Sequence, residues 1–194
     1  MSLLAMIRHG ATDWNAERRL QGRADRPLST QGKAQVRRWH VPALFQDACW
    51  STSPLARATE TAALLSHPNP IIEPALIEMD WGDWEGRTRE ELIAELGSEL
   101  VDRNPLGREF RSPRGESPRQ VWARLSPWIA AIAKQGKPTV AVTHRGVIRA
   151  VYAEATGWDM VGRPADELTA NAAHLFLARI DGSVALIRAN LMLS

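Results

Sequence analysis

Four short stretches of this 194-residue chain carry side chains able to do chemistry. Arg8, His9 and Gly10 follow an apolar run at 3–7. Ser53 and Pro54 follow a second run, with Arg57 one helical turn further on. Glu78 and then Asp80 close the segment 70–79. His144, Arg145 and Gly146 follow a third apolar run at 139–143. These residue types suit a phosphoryl group. The planar forks of two guanidinium groups match its oxygens. Helix starts after Gly10 and Pro54 add backbone N–H donors and positive dipole ends. A neutral imidazole can attack phosphorus and become a phosphohistidine. A second histidine can donate to an equatorial oxygen. A carboxyl kept protonated can hand its proton to a leaving alkoxide and then activate water. Arginines supply the charge that a divalent cation supplies elsewhere, so no metal and no cofactor is expected.

The elements that must hold these groups are short apolar runs alternating with helical patterns. Strands are expected at 3–7, 47–53 and 139–143, with 70–79 extended. Helices are expected at 29–45, with Ser29 or Thr30 as N-cap, and at 54–66, with Pro54 in the first turn. Further helices are expected at 88–100, at 117–136 from the Ser117–Pro118 start to Gly136, and at 145–157 ending on Gly157. Segments 173–180 and 184–191 flank Asp181-Gly182 and read as a closing hairpin. Alternation of this kind predicts a three-layer α/β/α sandwich with a mostly parallel sheet. The polar stretch at about 85–116 reads as a helical insertion forming a partial lid, and residues 1–194 as a single domain. In such sheets ligands sit beyond the carboxyl ends of the strands, where all four stretches fall.

Composition sets the outer limits. The chain is 44% hydrophobic and 24% charged, with a formal net charge of +2, which is ordinary for a soluble globular protein. The isoelectric point of about 9.1 overstates its basicity, because the arginines are scattered apart from Arg18-Arg19 and Arg37-Arg38. No stripe for nucleic acid is evident. The single cysteine, Cys49, excludes an internal disulfide and a cysteine metal cluster, and it reads as a buried inert thiol. The first apolar run is too short for a membrane helix and lacks the flanks of a secretory signal. The expected setting is the cytoplasm, with a small phosphorylated metabolite as partner and neither nucleic acid nor membrane. Oligomeric state is not legible.

The same stretches resemble the histidine phosphatase superfamily, in its phosphoglycerate-mutase-like branch. "RHGATDWN" is similar to its signature, "SPLARATETA" to its second motif and "LIEMDWGDWEG" to the segment carrying a proton-donor glutamate. "GES" at 115–117 and "AVTHRGVIR" at 141–149 are similar to later motifs. The resemblance implies that His9 is the phosphorylated nucleophile and Glu78 the general acid and base. It implies that Arg8, Arg57 and His144 bind phosphoryl oxygens, that Asn15 contacts the phosphoryl group, and that Thr12, Gln21 and Gly22 lie close by. Two departures stand out. Arg145 follows His144 where the family more often has glycine, an extra cation that either faces the substrate or points away at a helix start. The insertion also lacks the basic-aromatic-proline segment of glycerate mutases. With the short chain, the second departure favours a phosphatase over a mutase. The rival functions are a phosphoglycerate-type mutase and a silent phosphate-binding module, the latter disfavoured because no catalytic member is missing.

Spacing alone does not choose Glu78 over Glu73, Asp80, Asp83 or Glu85; the resemblance does. His40, His67 and His174 read as structural, on a helix face, a loop and a hairpin strand. Trp81 and Trp84 read as packing, Arg37-Arg38 as a solvated helix face and Asn171 as a turn. Arg103, Arg108, Arg111 and Arg114 of the insertion divide evenly between a solvated lid and a second anionic contact.

Overall fold

The structure, a computed structural model, describes residues 1–65, 69–98 and 104–193. Six strands form one sheet in the order β3-β2-β4-β1-β5-β6. These are β1 (Ser2–Arg8), β2 (Cys49–Thr52), β3 (Ile71–Ile72), β4 (Thr139–Thr143), β5 (Ala172–Ala178) and β6 (Val184–Met192). The first four run parallel, and β5 pairs antiparallel with both β1 and β6. The C-terminal hairpin and the mostly parallel sheet are therefore as expected.

The alternation along β1 and β4 builds the three layers. Leu4, Met6 and Ala141 face one core, with Val121, Leu125, Ile129, Val147 and Val151. The residues between them, Ala5, Ile7, Val140 and Val142, face the other, with Val36, Phe45, Ala58 and Ala62. Period-two burial on both faces requires helices on both sides. The helices are α1 (Asp13–Ala16), α2 (Thr30–Val36), α3 (Ala56–Leu64), α4 (Arg89–Leu96), α5 (Pro118–Gln135) and α6 (Arg145–Thr156). Among the described residues no helix is long and apolar enough to cross a membrane.

Helix ends follow local chemistry. Ser117 and Gln120 form a capping box at the start of α5, and left-handed Gly136 closes it. Ser29 caps α2 as expected, but the helix stops at Val36 rather than running to 45. Pro42 disfavours helical backbone at Val41, and the His40 N–H is given instead to the Leu193 carbonyl. His40 is thus an exposed loop residue, not part of a helix face, and Arg37-Arg38 are solvated in the turn just past the helix end. Pro54 precedes α3 rather than opening it. Ser53 Oγ accepts from the Leu55 N–H, and Asp25 Oδ1 accepts from the Ala56 N–H at 2.7 Å.

Only Ile71–Ile72 of the extended segment pairs as a strand. A 3-10 turn at Pro74–Leu76, capped by Glu73, takes over after it. The α4 helix ends at Gly97 (φ 82°), and the expected continuation to residue 100 runs outside the described residues. His67 and Arg103 also lie outside them. Cys49 is half-buried, His174 is buried in β5, and Asn171 sits in the turn before β5.

Candidate active site

β1 delivers Arg8 and His9 to its carboxyl end, and the His9 N–H continues the ladder by donating to Thr143 O at 2.9 Å. β4 delivers His144 beside it, with ring centroids 5.1 Å apart. α3 brings Arg57 underneath, fully buried. Its Nη1 donates to Ala24 O at 2.8 Å, its Nη2 to Gly22 O at 2.7 Å and its Nε to His144 Nδ1 at 3.3 Å. Each Nη retains a further hydrogen for a ligand. The sequence expectation that these side chains converge is met.

The two histidines and the carboxyl of Glu78 carry displaced acidities, and burial lowers Arg8 and Arg57 as well. Burial, followed by the charges of Arg8 and Arg57, holds the His9 imidazole well below the usual histidine range. His9 Nδ1 lies 2.7 Å from its neighbour's carbonyl, Gly10 O. A carbonyl only accepts, so Nδ1 carries the proton and Nε2 keeps its lone pair. Burial pushes the Glu78 carboxyl up, against the opposing pull of the Met79 and Gly146 amides and of Arg57 and Arg8. His144 is depressed by burial and by His9, Arg57 and Arg8.

Glu78 is fixed by two backbone donors, Met79 N–H at 2.8 Å and Gly146 N–H at 3.3 Å. A Cβ at position 146 would stand 2.5 Å from Glu78 Oε1, so the glycine after Arg145 is a condition of the carboxylate's position. Its rivals are occupied elsewhere. Glu73 caps a turn, and Asp80 accepts from Gly82 N–H. Asp83 pairs with Arg114, and Glu85 accepts from Ala24 N–H. Sequence reasoning passed over Arg124 on α5. Its guanidinium donates to the carbonyls of Ala75 and Ile77 and pairs with Glu116, anchoring the segment that leads into Glu78.

These groups open on a cavity of about 690 Å³ in which Glu78 is the single carboxylate among the described lining residues. Its floor is Arg8, His9, Arg57 and Glu78, with Asn15, Gln21 and Gly22 at the side. Asn15 Oδ1 is bonded to Thr12 in a capping box, so its amide nitrogen is the group left over. Gln21 Oε1 and Arg8 Nε are buried without a hydrogen-bond partner. His144 lies behind the floor rather than on it. Its Nδ1 accepts from Arg57, and its Nε2 lies 2.7 Å from Ser53 Oγ, so neither ring nitrogen is a free donor toward the cavity.

The walls hold residues read differently in the sequence. Trp81, read as packing in preference to pocket wall, lines the cavity, whereas Trp84 is buried as expected. Of its described residues the insertion contributes Gly107 and Phe110, and none of its arginines. Arg108 is bonded to Glu154, Trp158 O and Ala153 O, and Arg114 pairs with Asp83. Arg111 is exposed and away from the cavity. Around the rim stand Arg18, Arg19, Arg145 and Arg149. Arg145, whose direction the sequence left open, lines the cavity; Arg149, one helical turn later, is legible only once α6 is placed.

Known proteins give the same outline. The family model described as the histidine phosphatase superfamily (branch 1) matches residues 4–191. A 2,3-bisphosphoglycerate-dependent phosphoglycerate mutase 2 of Gloeobacter violaceus is 34% identical over 169 residues, covering 79% of this chain and 75% of its own. A glucosyl-3-phosphoglycerate phosphatase of Mycolicibacterium vanbaalenii is 33% identical over 178 residues, covering 82% and 78%. The solved structure of mycobacterial hydrolase 1 superposes with a TM-score of 0.81 at 26% identity, covering 98% of this chain and 99% of that one.

Proposed function

Since the chain belongs to the histidine phosphatase superfamily, we propose that it hydrolyses a small-molecule phosphomonoester through a phosphohistidine at His9, without a metal ion. The observation that carries this reading is a pair of opposite displacements on one cavity floor. Burial pushes an imidazole toward its neutral form and a carboxyl toward its protonated form, which divides nucleophile from acid.

His9 Nε2 attacks phosphorus while Arg8 and Arg57 bind its oxygens. The bond to the leaving oxygen breaks, and that oxygen takes the Glu78 proton. The Glu78 carboxylate then removes a proton from water, the water oxygen attacks phosphorus, and the P–N bond breaks to release inorganic phosphate. Gly10 O holds the Nδ1 proton and spreads the imidazolium charge as it forms. His144 acts on this chemistry through its contacts with Arg57 and His9.

The test is phosphate release from 4-nitrophenyl phosphate in EDTA by the wild type and His9→Ala. Wild-type turnover is expected, with a loss of at least about 10⁴-fold in the variant. Retained turnover in His9→Ala would remove His9 as nucleophile. A mutase-named relative favours a second reading, transfer to another phosphoglycerate. Priming of turnover by 2,3-bisphosphoglycerate would establish it, and indifference to that compound keeps the phosphatase.

A further inference from the structure

Glu78 alone among the floor groups stands on irregular backbone. Arg8, His9 and His144 come from the ends of paired strands, and Arg57 from a helix. Glu78 follows the 3-10 turn at Pro74–Leu76, and residues 77–81 belong to no strand or helix. Such a segment must find partners for its backbone polar groups outside the sheet. Thr143 Oγ1 donates to Leu76 O at 2.8 Å. Two charged side chains hold the residues on either side of Glu78. Arg124 donates through Nη1 to Ala75 O, and through Nη2 to Ile77 O at 2.7 Å. Glu116 accepts from Asp80 N–H at 3.4 Å, and its own N–H donates to Asp80 O at 2.9 Å. The two side chains then meet in a fork, with Nε to Oε1 at 2.9 Å and Nη2 to Oε2 at 3.1 Å.

This gives the stretch Gly115-Glu116-Ser117 a physical reading. A Cβ at position 115 would stand 2.7 Å from Asp80 O, so a glycine lets Glu116 come close. Ser117 caps α5, the helix that carries Arg124. Side-chain exposures of 12% for Glu116 and 20% for Arg124 spare the pair the screening that weakens surface ion pairs. Arg23 reaches Asp80 at 3.4 Å and Glu116 at 3.6 Å. It does so from between Gly22 and Ala24, whose carbonyls hold Arg57. Neither Glu116 nor Arg124 lines the cavity. We infer that Glu116 and Arg124 are positioning residues for proton transfer, their ion pair setting where the Glu78 carboxyl stands against the leaving oxygen. This rests on the role of Glu78 given above and adds to it two residues that touch no substrate.

Two variants and two esters test it. Arg124→Lys keeps the charge, which also reaches His144, and loses the planar fork. Glu116→Gln keeps the shape and loses the charge. Butyl phosphate has a leaving alkoxide that needs a proton, and 4-nitrophenyl phosphate has a leaving group that does not. In each variant kcat/KM should fall about ten- to hundredfold for the first ester and less than about threefold for the second. The Glu78 carboxyl, followed by carbon-13 NMR, should titrate lower than in the wild type as its buried seat loosens. A role in stability alone would lower Tm and spare or slow both esters alike. Arg23→Gln removes a partner of Glu116 whose side chain is 42% exposed. It should give the same split in weaker form, and it decides the matter if the other two variants do not fold.

A Glu78 titration unmoved in the folded variants would overturn the inference, whatever the rates. Equal losses on both esters, or none on either, would also overturn it wherever Glu78→Gln itself separates the two esters. A different pattern separates this inference from the reading beneath it. If Glu78→Gln does not separate the esters while Arg124→Lys still moves the Glu78 titration, the ion pair keeps its hold on the carboxyl and the proton-donor role of Glu78 falls.

Discussion

Floor and rim of the cavity are both rich in arginine, and they use it in opposite ways. On the floor Arg57 spends three donors on protein: Gly22 O, Ala24 O and His144. Its orientation is fixed before any ligand arrives. Among the described residues Arg145 and Arg149 on the rim spend none on carboxylates, and Arg149 is steadied by the face of Trp158. A group fixed in advance lowers the barrier, because no reorganisation is needed as charge develops. A group held by fewer ties answers to what the substrate presents. The floor should therefore set the rate for every substrate, and the rim should set which substrate is preferred.

The largest effect expected at the floor after loss of the nucleophile is at Glu78. Glu78→Gln should lower kcat/KM for an alkyl phosphate by about 10³-fold, within the range for loss of a general acid. For 4-nitrophenyl phosphate, whose leaving group departs without a proton, the loss in kcat/KM should be much smaller. Steady-state kinetics on both esters decides this. Equal losses would mean that Glu78 shapes the floor rather than donating a proton.

Arg57→Ala should follow, at about 3 kcal/mol or roughly a hundredfold in rate, on every substrate alike. A loss confined to some substrates would move Arg57 to the rim and collapse the contrast.

Sequence made the floor far more legible than the rim, for a physical reason. Arg8-His9 and His144 sit at or just past the ends of strands whose apolar pattern is strict, so strand ends place them; Glu78 lies beyond a 3-10 turn, and only the family resemblance singled it out. Arg57 needed only one helical turn after Ser53-Pro54. The rim depends on how distant pieces meet. Arg149 looks like any helix arginine until α6 is packed beside Trp158, and Trp81 looks like core until Phe110 arrives from the insertion. The insertion arginines illustrate the converse. Arg108 has the right charge and lies in the right segment, yet its donors are taken by Trp158 O, Ala153 O and Glu154. The failed helix at 37–45 has a local cause, since Pro42 was visible in the sequence and constrains Val41. By contrast Pro127 inside α5 did not end that helix, because Leu125, Ile129 and Ile132 keep its face in the core.

Gly146→Ala gives a smaller effect of a different kind. The added methyl group would press on Glu78 Oε1 and push the carboxyl toward solvent. A roughly ten- to hundredfold fall in kcat/KM is expected from misplacement alone. The pH profile supplies the sharper readout. Burial raises the Glu78 pKa in the folded protein, so the proton-donating form is present below that raised value and is lost as pH rises through it. Relieving the burial returns the pKa toward the ordinary carboxylate range, so the alkaline limb of kcat/KM for an alkyl phosphate should move to lower pH in the variant. A lower rate with an unmoved limb would show that the glycine matters for space and not for the acidity of Glu78.

The smallest effect should come from Arg108→Ala, which tests whether the insertion belongs to the catalytic machinery or only to the walls. Its guanidinium ties the insertion to the end of α6 through two carbonyls and Glu154, at 2.6–2.8 Å. The pair with Glu154 is partly solvated, with side-chain exposures of 20% and 26%, so it adds little by itself. The two bonds to carbonyls carry most of a cost of about 1–2 kcal/mol, a fall in Tm of roughly 2–8 °C for a chain of this size. Turnover of 4-nitrophenyl phosphate should stay within about twofold, because no floor group touches Arg108. Selectivity is where a loosened insertion should show, because Phe110 and Trp158 both lie next to what Arg108 holds. If instead kcat for the small ester falls with Tm, the floor is not preorganised independently of the insertion, and the division of labour between floor and rim fails at its base.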